Sequence, residues 1–163
     1  MTIEIKETNS DDKAQQILLL NEVLGPGRFA RTTYRLREQA GEQPAFELGA
    51  FDGKRLVGTV TFTSVSVGGV KGACLLGPLV VHPDQRGNDL GVKLMEEGAN
   101  RADAEGFTCL LLIGDMAYYE RAGYTRLSGD EFIFPGPIAA HRILGRDLKD
   151  GTLAKLCGKV SAG

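Results

Sequence analysis

Residues 70–81, VKGACLLGPLVV, form an apolar run of strand character with a proline inside it. Pro78 carries no N–H and cannot donate to a sheet ladder. Gly77 before it weakens regular pairing, so the two together predict a bulge or splay within the strand. A strand opened there leaves main-chain N–H groups around Leu79, Val80 and Val81 without strand partners, and such groups must find another acceptor. The chain continues as HPDQRGNDLGVKLM, a polar, glycine-bearing turn over residues 85–91 that feeds a helix with Leu90, Leu94, Met95 and Ala102 on one face. A helix N-terminus reached through such a turn favours phosphate or carboxylate. Open strand and turn together call for an elongated ligand with an anionic end and an amide-bearing arm.

The rest of the chain supplies a sheet for that strand. TIEIKE alternates as a half-buried strand does, and Ser10-Asp11-Asp12 offers capping groups to a helix expected to turn Ala14, Ile17, Leu18 and Leu24 inward. Gly25-Pro26-Gly27 breaks that helix, and RFARTTYRLREQ restarts an exposed one with Arg28, Arg31, Arg35 and Arg37 on more than one face. AFELGAF, LVGTVTFTSVSV and VKGACLLGPLVV read as three strands joined by tight turns at Asp52-Gly53 and Gly68-Gly69, an antiparallel meander. Gly106 ends the helix after the polar turn. TCLLLI lacks polar alternation, as a strand covered on both faces does, which predicts a parallel crossover and a mixed sheet. DMAYYERAG reads as a short helix capped by Asp115, EFIF and HRILGRDL as closing strands; the tail from Lys149 receives no assignment.

A length of 163 residues with 42% hydrophobic content fits one domain spanning residues 1–163. A formal net charge of -2 gives no electrostatic case for nucleic acid or an anionic membrane. No apolar stretch approaches the length of about 18 residues that a membrane span needs. The polar opening MTIEIKETNSDDK has no signal-peptide character. Cys74, Cys109 and Cys157 show no CxxC spacing and leave one unpaired, as expected of reduced thiols in the cytoplasm. No His/Cys/acid group has metal spacing, no Ser-His-Asp set is suggested, and a GxxxxGK[ST] phosphate loop is absent.

With these residues in order, LGPLVVHPDQRGNDLG and GDMAYYERAGY within residues 76–124, the chain resembles the GNAT superfamily of acyl-CoA-dependent N-acetyltransferases. The resemblance implies an α/β (α+β) fold with a mixed, mostly antiparallel sheet splayed at its middle and helices on both faces. It implies acetyl-CoA as donor substrate, held along Leu79, Val80 and Val81 by main-chain groups. Its pyrophosphate would lie at Arg86, Gly87, Asn88, Asp89, Leu90 and Gly91, the family's (Q/R)-x-x-G-x-(G/A) loop. The acceptor would be a primary amine of a small molecule or protein; a homodimer stays open. The family's Y-x-x-x-G-(F/Y) tyrosine falls on Tyr119, implied to protonate the departing thiolate, as a phenol neutral at pH 7 is able to do. The competing reading is that Tyr118 and Tyr119 merely pack.

One position departs from the family pattern: Asp89 stands where the loop has its middle glycine. A carboxylate about 4 Å from a phosphate charge costs about 1 kcal/mol in water and about 4 kcal/mol at an effective dielectric of 20. Backbone geometry is the smaller obstacle, since Asp visits the left-handed region more readily than most residues. Asp89 either caps the helix with its side chain, occupying the N–H groups a phosphate would use, or has its repulsion offset in part by Arg86 and Lys93, or turns its side chain outward into solvent. The first case leaves a non-catalytic binding module with altered or lost CoA binding as the alternative function. Asp115 is a cap before it is a base, and His82, before Pro83, shapes the turn. His141 receives no role. Residues 25–29 and 128–137 are the expected acceptor-pocket loops, and Cys74 and Cys109 are expected to be inert core thiols.

Overall fold

The computed structural model describes residues 2–25, 44–136 and 138–163. The second helix expected over residues 28–39, with Arg28, Arg31, Arg35 and Arg37, lies outside the described residues, as do Pro137 and all but Gly25 of the 25–29 loop. Strands β1 (Ile3–Glu7), β2 (Phe46–Asp52), β3 (Arg55–Val67) and β4 (Val70–Val81) are antiparallel neighbours in that order. The β2–β3 and β3–β4 turns place Gly53, Gly68 and Gly69 at φ 61°, 56° and 81°, the left-handed conformations that tight hairpins require. Helix α1 (Lys13–Leu24) precedes β2, and helix α2 (Leu90–Ala104) carries the chain from β4 to β5 (Cys109–Ile113), which is parallel to β4. Beyond β5 the sheet continues through β8 (Ile143–Asp147) to β6 (Thr125–Arg126), both pairings antiparallel.

The tail without assignment is a strand. β9 (Gly158–Ala162) pairs with β3 at Val65, Ser66 and Val67, beyond the residues that β2 covers, and runs parallel to β7 (Phe132–Ile133). β6 is likewise an addition to the sequence reading. The expected EFIF strand shrinks to β7, and HRILGRDL becomes strand only from Ile143.

Side-chain alternation along the strands builds two layers of core. On one face α2 buries Leu90, Leu94, Met95, Ala99 and Ala102 against Phe62, Cys74, Leu76, Leu110, Leu112 and Leu144. Gly98 permits that approach, since a Cβ there would lie 2.1 Å from Phe62 Cζ. The opposite face is shared. Under β2–β4, α1 packs Leu19 and Leu20 on Phe51, Leu56 and Val80; under β3–β5–β8, Phe132, Phe134, Leu156 and Val160 pack on Val67, Leu75, Leu111 and Ile143.

α1 is rotated from the expected orientation. Ile17 and Leu18 are exposed at 41% and 68%, Ala14 is exposed, and the buried face is Gln16, Leu19 and Leu20. The run ILLL offers two competing apolar stripes. The stripe that wins contains a polar residue because the Gln16 side-chain amide donates to Thr59 Oγ1 at 3.2 Å and to Glu47 Oε2 at 3.4 Å. The capping box sits one residue earlier than expected, on Asn9, whose Oδ1 accepts from the Asp11 N–H at 2.8 Å.

Candidate active site

β4 meets β5 only through Ala73, Cys74 and Leu75, opposite Cys109, Leu110 and Leu111. Past Leu75 no described strand pairs with that edge of β4, while β5 continues to Ile113 against β8. On the other edge, β4 stays with β3 through a register shift. Val60 pairs with Leu79 and Phe62 with Leu76, so Gly77 and Pro78 sit in a bulge, as the sequence predicts. The His82 N–H donates to the Val57 carbonyl at 2.8 Å, and antiparallel alternation makes Val80–Thr59 the next hydrogen-bonded pair. The main-chain groups of Leu79 and Val81 therefore face the gap toward β5. Those of Val80 do not; they bond β3, which removes Val80 from the expected set of free donors.

The turn after β4 is tied down from within. His82 Nδ1 accepts from the Asp84 N–H at 3.2 Å, as its turn-shaping role requires. Asn88 donates to the buried Gln85 side chain at 3.2 Å. Gly87 has φ 89° and Asp89 φ 54°, so aspartate does occupy the left-handed conformation a glycine would take there. Asp89 holds the N-cap position of α2, and its carbonyl accepts from Lys93 N–H at 3.0 Å, but its carboxylate makes no capping bond. The carboxylate instead takes the Arg121 guanidinium. The side-chain cap is thus corrected, while the outward orientation stands, since the Asp89 side chain is exposed. The first-turn N–H groups of α2 keep their ordinary lack of intrahelical partners, and the compensating charge is neither Arg86 nor Lys93. Asp89, in turn, holds the Arg121 guanidinium further toward its protonated form.

Arg121 arrives from the segment after α3 (Met116–Tyr119), the short helix whose cap is Asp115, accepting from Ala117 N–H at 3.1 Å. The same helix brings Tyr118 over the first turn of α2: a Cβ on Gly91 would lie 2.0 Å from Tyr118 Oη. Burial raises the Tyr118 phenol above its ordinary value, with Asp89 adding to the rise and Arg121 opposing it. Val81, Arg86, Gly87, Gly91, Tyr118 and Arg121 all line one cavity of about 190 Å³, which Gln85, Asp89 and Leu90 complete. Sequence reasoning missed Tyr118 and Arg121 here. The glycine at position 91, inside a helix's first turn, is the signal that something approaches closely.

Tyr119 lies on the opposite wall of the gap. Its ring covers Gly114 at the end of β5, where a Cβ would meet its Cε2 at 2.3 Å, and it stands edge-on to Tyr118 and Tyr124 at centroid distances of 5.0 and 6.1 Å. The gap therefore has donor groups of β4 on one side and the Tyr119 ring on the other, with the anion-favouring turn at its mouth. Cys74 and Cys109 take no part; burial pushes the Cys109 thiol up to about 11 and that of Cys74 further, and both stay protonated. Among the described residues no His/Cys/Asp/Glu group is arranged to hold a metal, and no helix is long and apolar enough to cross a membrane.

The model of the Acetyltransferase (GNAT) family matches residues 15–124. YjhQ of Escherichia coli K12, described as an uncharacterized N-acetyltransferase, is 31% identical over 106 residues, which is 63% of this chain; the match spans 58% of the length of that curated relative. The fold superposes on YhbS of Escherichia coli, a GNAT family N-acetyltransferase solved in complex with CoA, with a TM-score of 0.86, 24% identity, and coverage of 99% of this chain and 89% of the other. A GNAT family acetyltransferase of Brucella melitensis, solved with acetyl-CoA, gives 0.73 at 23% identity, covering 99% and 96%.

Proposed function

The chain belongs to the GNAT acetyltransferase family, and from that premise we propose that it moves an acetyl or other short acyl group from acyl-CoA to a primary amine of a small molecule or protein. The carrying observation is the unpaired edge of β4 at Leu79 and Val81, continuous with the turn before α2. CoA and acetyl-CoA in the similar YhbS and Brucella structures support the same donor here. Main-chain N–H and C=O groups facing the gap suit the amides of a pantetheine arm. The free N–H groups at the start of α2 and the Arg86 side chain suit its diphosphate. Asp89 does not defeat this fit, because its charge is taken up by Arg121 and its side chain leaves the helix N–H groups open.

Transfer forms a C–N bond to the acceptor amine and breaks the thioester C–S bond, with one proton leaving the nitrogen and one reaching the sulfur. Within that scheme the protein contributes position and polarisation. Leu79 and Val81 hold the arm, an N–H of the open edge polarises the acyl carbonyl, and the Tyr119 hydroxyl supplies the proton to sulfur. Tyr118 has a different part: with its phenol kept neutral by burial, it offers a hydrogen bond at the diphosphate end. Three free thiols, two of them buried, accord with a reducing cytoplasm.

Calorimetric titration with acetyl-CoA tests the donor directly, and release of free thiol with a panel of amines tests transfer. Saturable binding followed by amine-dependent thiol release is expected. A chain that binds neither acetyl-CoA nor CoA refutes the proposal.

A further inference from the structure

α3 has a second side. Facing away from the turn, Asp115 and Met116 line a cleft of about 520 Å³ together with Arg126, His141 and Arg142. That volume is in the range of small-molecule sites. The cleft is joined to the reaction site through one glycine: Gly114 N–H donates to the Arg142 carbonyl at 2.9 Å, and the Tyr119 ring lies on the same Gly114.

Its charge is unusual for this molecule. Arg55, Arg101, Arg121 and Arg146 each hold a carboxylate. Among the described residues, the arginine side chains with no ion pair or hydrogen bond are Arg86, in the turn assigned to the diphosphate, and Arg126 and Arg142, which share this cleft. His141 beside them has no partner among the described residues either. Two guanidiniums lining one hollow, neither with a partner among the described residues, in a chain of formal net charge -2, are suited to an oxyanion, which guanidinium planes grip in bidentate fashion. The donor's own diphosphate has its place on the other side of α3, so this anion belongs to something else. Asp115, also in the wall, offers an ammonium group the opposite charge.

We propose that this cleft binds the acidic group of the acceptor, and that the substrate is a small amine bearing a carboxylate or a phosphate, its oxyanion on Arg126 and Arg142 and its amine on the side of Asp115 toward Tyr119. The proposal rests on the acyl-transfer function above and narrows its acceptor. Protein amines and neutral amines fall outside it.

The test pairs each acidic amine with its neutral counterpart, an amino acid against its amide and an aminoalkyl phosphate against the amino alcohol, assayed by thiol release with acetyl-CoA. The acidic partner of at least one pair should show kcat/KM at least tenfold higher, and which pair does so separates carboxylate from phosphate. Arg126→Gln and Arg142→Gln should each raise KM for that acceptor about tenfold. Acetyl-CoA affinity and the thermal midpoint should stay unchanged. A turnover-independent readout accompanies these: phosphate or acetate titrated into the protein should shift the His141 ring resonance saturably, and the double variant should abolish that shift. Acetyl-CoA binding with equal rates on acidic and neutral amines overturns this proposal alone, as does an anion response that survives the double variant. Failure to bind acetyl-CoA overturns the donor assignment instead.

Discussion

The two halves of β4 share a strand and an apolar composition but not a neighbourhood. Residues 73–75 have β3 on one edge and β5 on the other, and Ala73, Cys74 and Leu75 are at most 1% exposed. Residues 79–81 keep β3 and lose β5, and Leu79 and Val81 are half-buried. The bulge at Gly77 and Pro78 divides them. The difference teaches where a sheet protein of this size puts its stability and where it puts its chemistry. A strand paired on both edges has no main-chain group left to offer a ligand, and a strand paired on one edge has a row of them.

Substitutions on either side of the bulge should accordingly fail in different ways. The largest effect is expected from Leu75→Ala in the closed half, about 2–5 kcal/mol of stability by chemical denaturation, because its side chain has no exposed surface. Leu79→Ala should cost about 1 kcal/mol. Equal losses at the two positions would break the comparison. Beside the open half, Tyr119→Phe should lower kcat about a hundredfold while leaving the thermal midpoint and acetyl-CoA affinity near wild type, as loss of a positioned proton donor does. An unchanged kcat would return Tyr119 to a packing role.

At the mouth of the gap the effects are smaller and depend on order. Arg121→Gln should weaken acetyl-CoA binding about tenfold by leaving the Asp89 carboxylate unopposed beside the diphosphate. In an Asp89→Gly background the same change should weaken it less, so a double-mutant cycle in calorimetry should show coupling. Additive effects would mean that Asp89 and Arg121 do not act as a pair. Smallest of all is a pH effect in the turn. Arg55 holds the Asp84 carboxyl below its ordinary value. The contribution of that pair is present above the ordinary carboxylate range and is lost as pH falls through the depressed value. Asp84→Asn should lower stability slightly at neutral pH and leave it unchanged below the depressed value, so that the acid limb of stability against pH is flatter.

Features carried by neighbouring residues could be read from the sequence. Pro78 in an apolar run announces a bulge because a missing N–H is a local fact; the glycine hairpins and the Asp115 cap are local in the same way. What escaped reading is non-local. Arg121 meets Asp89 across 32 positions, and nothing in either neighbourhood signals the other. β9 is strand because β3 extends past β2 and has an edge to fill, not because GKVSA has strong strand character. α1 was ambiguous in principle, since four consecutive apolar residues fit two stripes; the choice was made by Thr59 and Glu47, which lie on strands far along the chain. Val80 falls among the donors the sequence leaves free because composition does not say which edge of a strand keeps its partner.

The open edge of β4 is the claim on which donor binding depends, and amide hydrogen exchange measured residue by residue tests it most directly. In the free protein Leu79 and Val81 should exchange much faster than Val80 and Leu75, and saturating acetyl-CoA should slow Leu79 and Val81 selectively. Amides at Leu79 and Val81 as protected as that of Val80 before any ligand is added, and unaltered by acetyl-CoA, would contradict it.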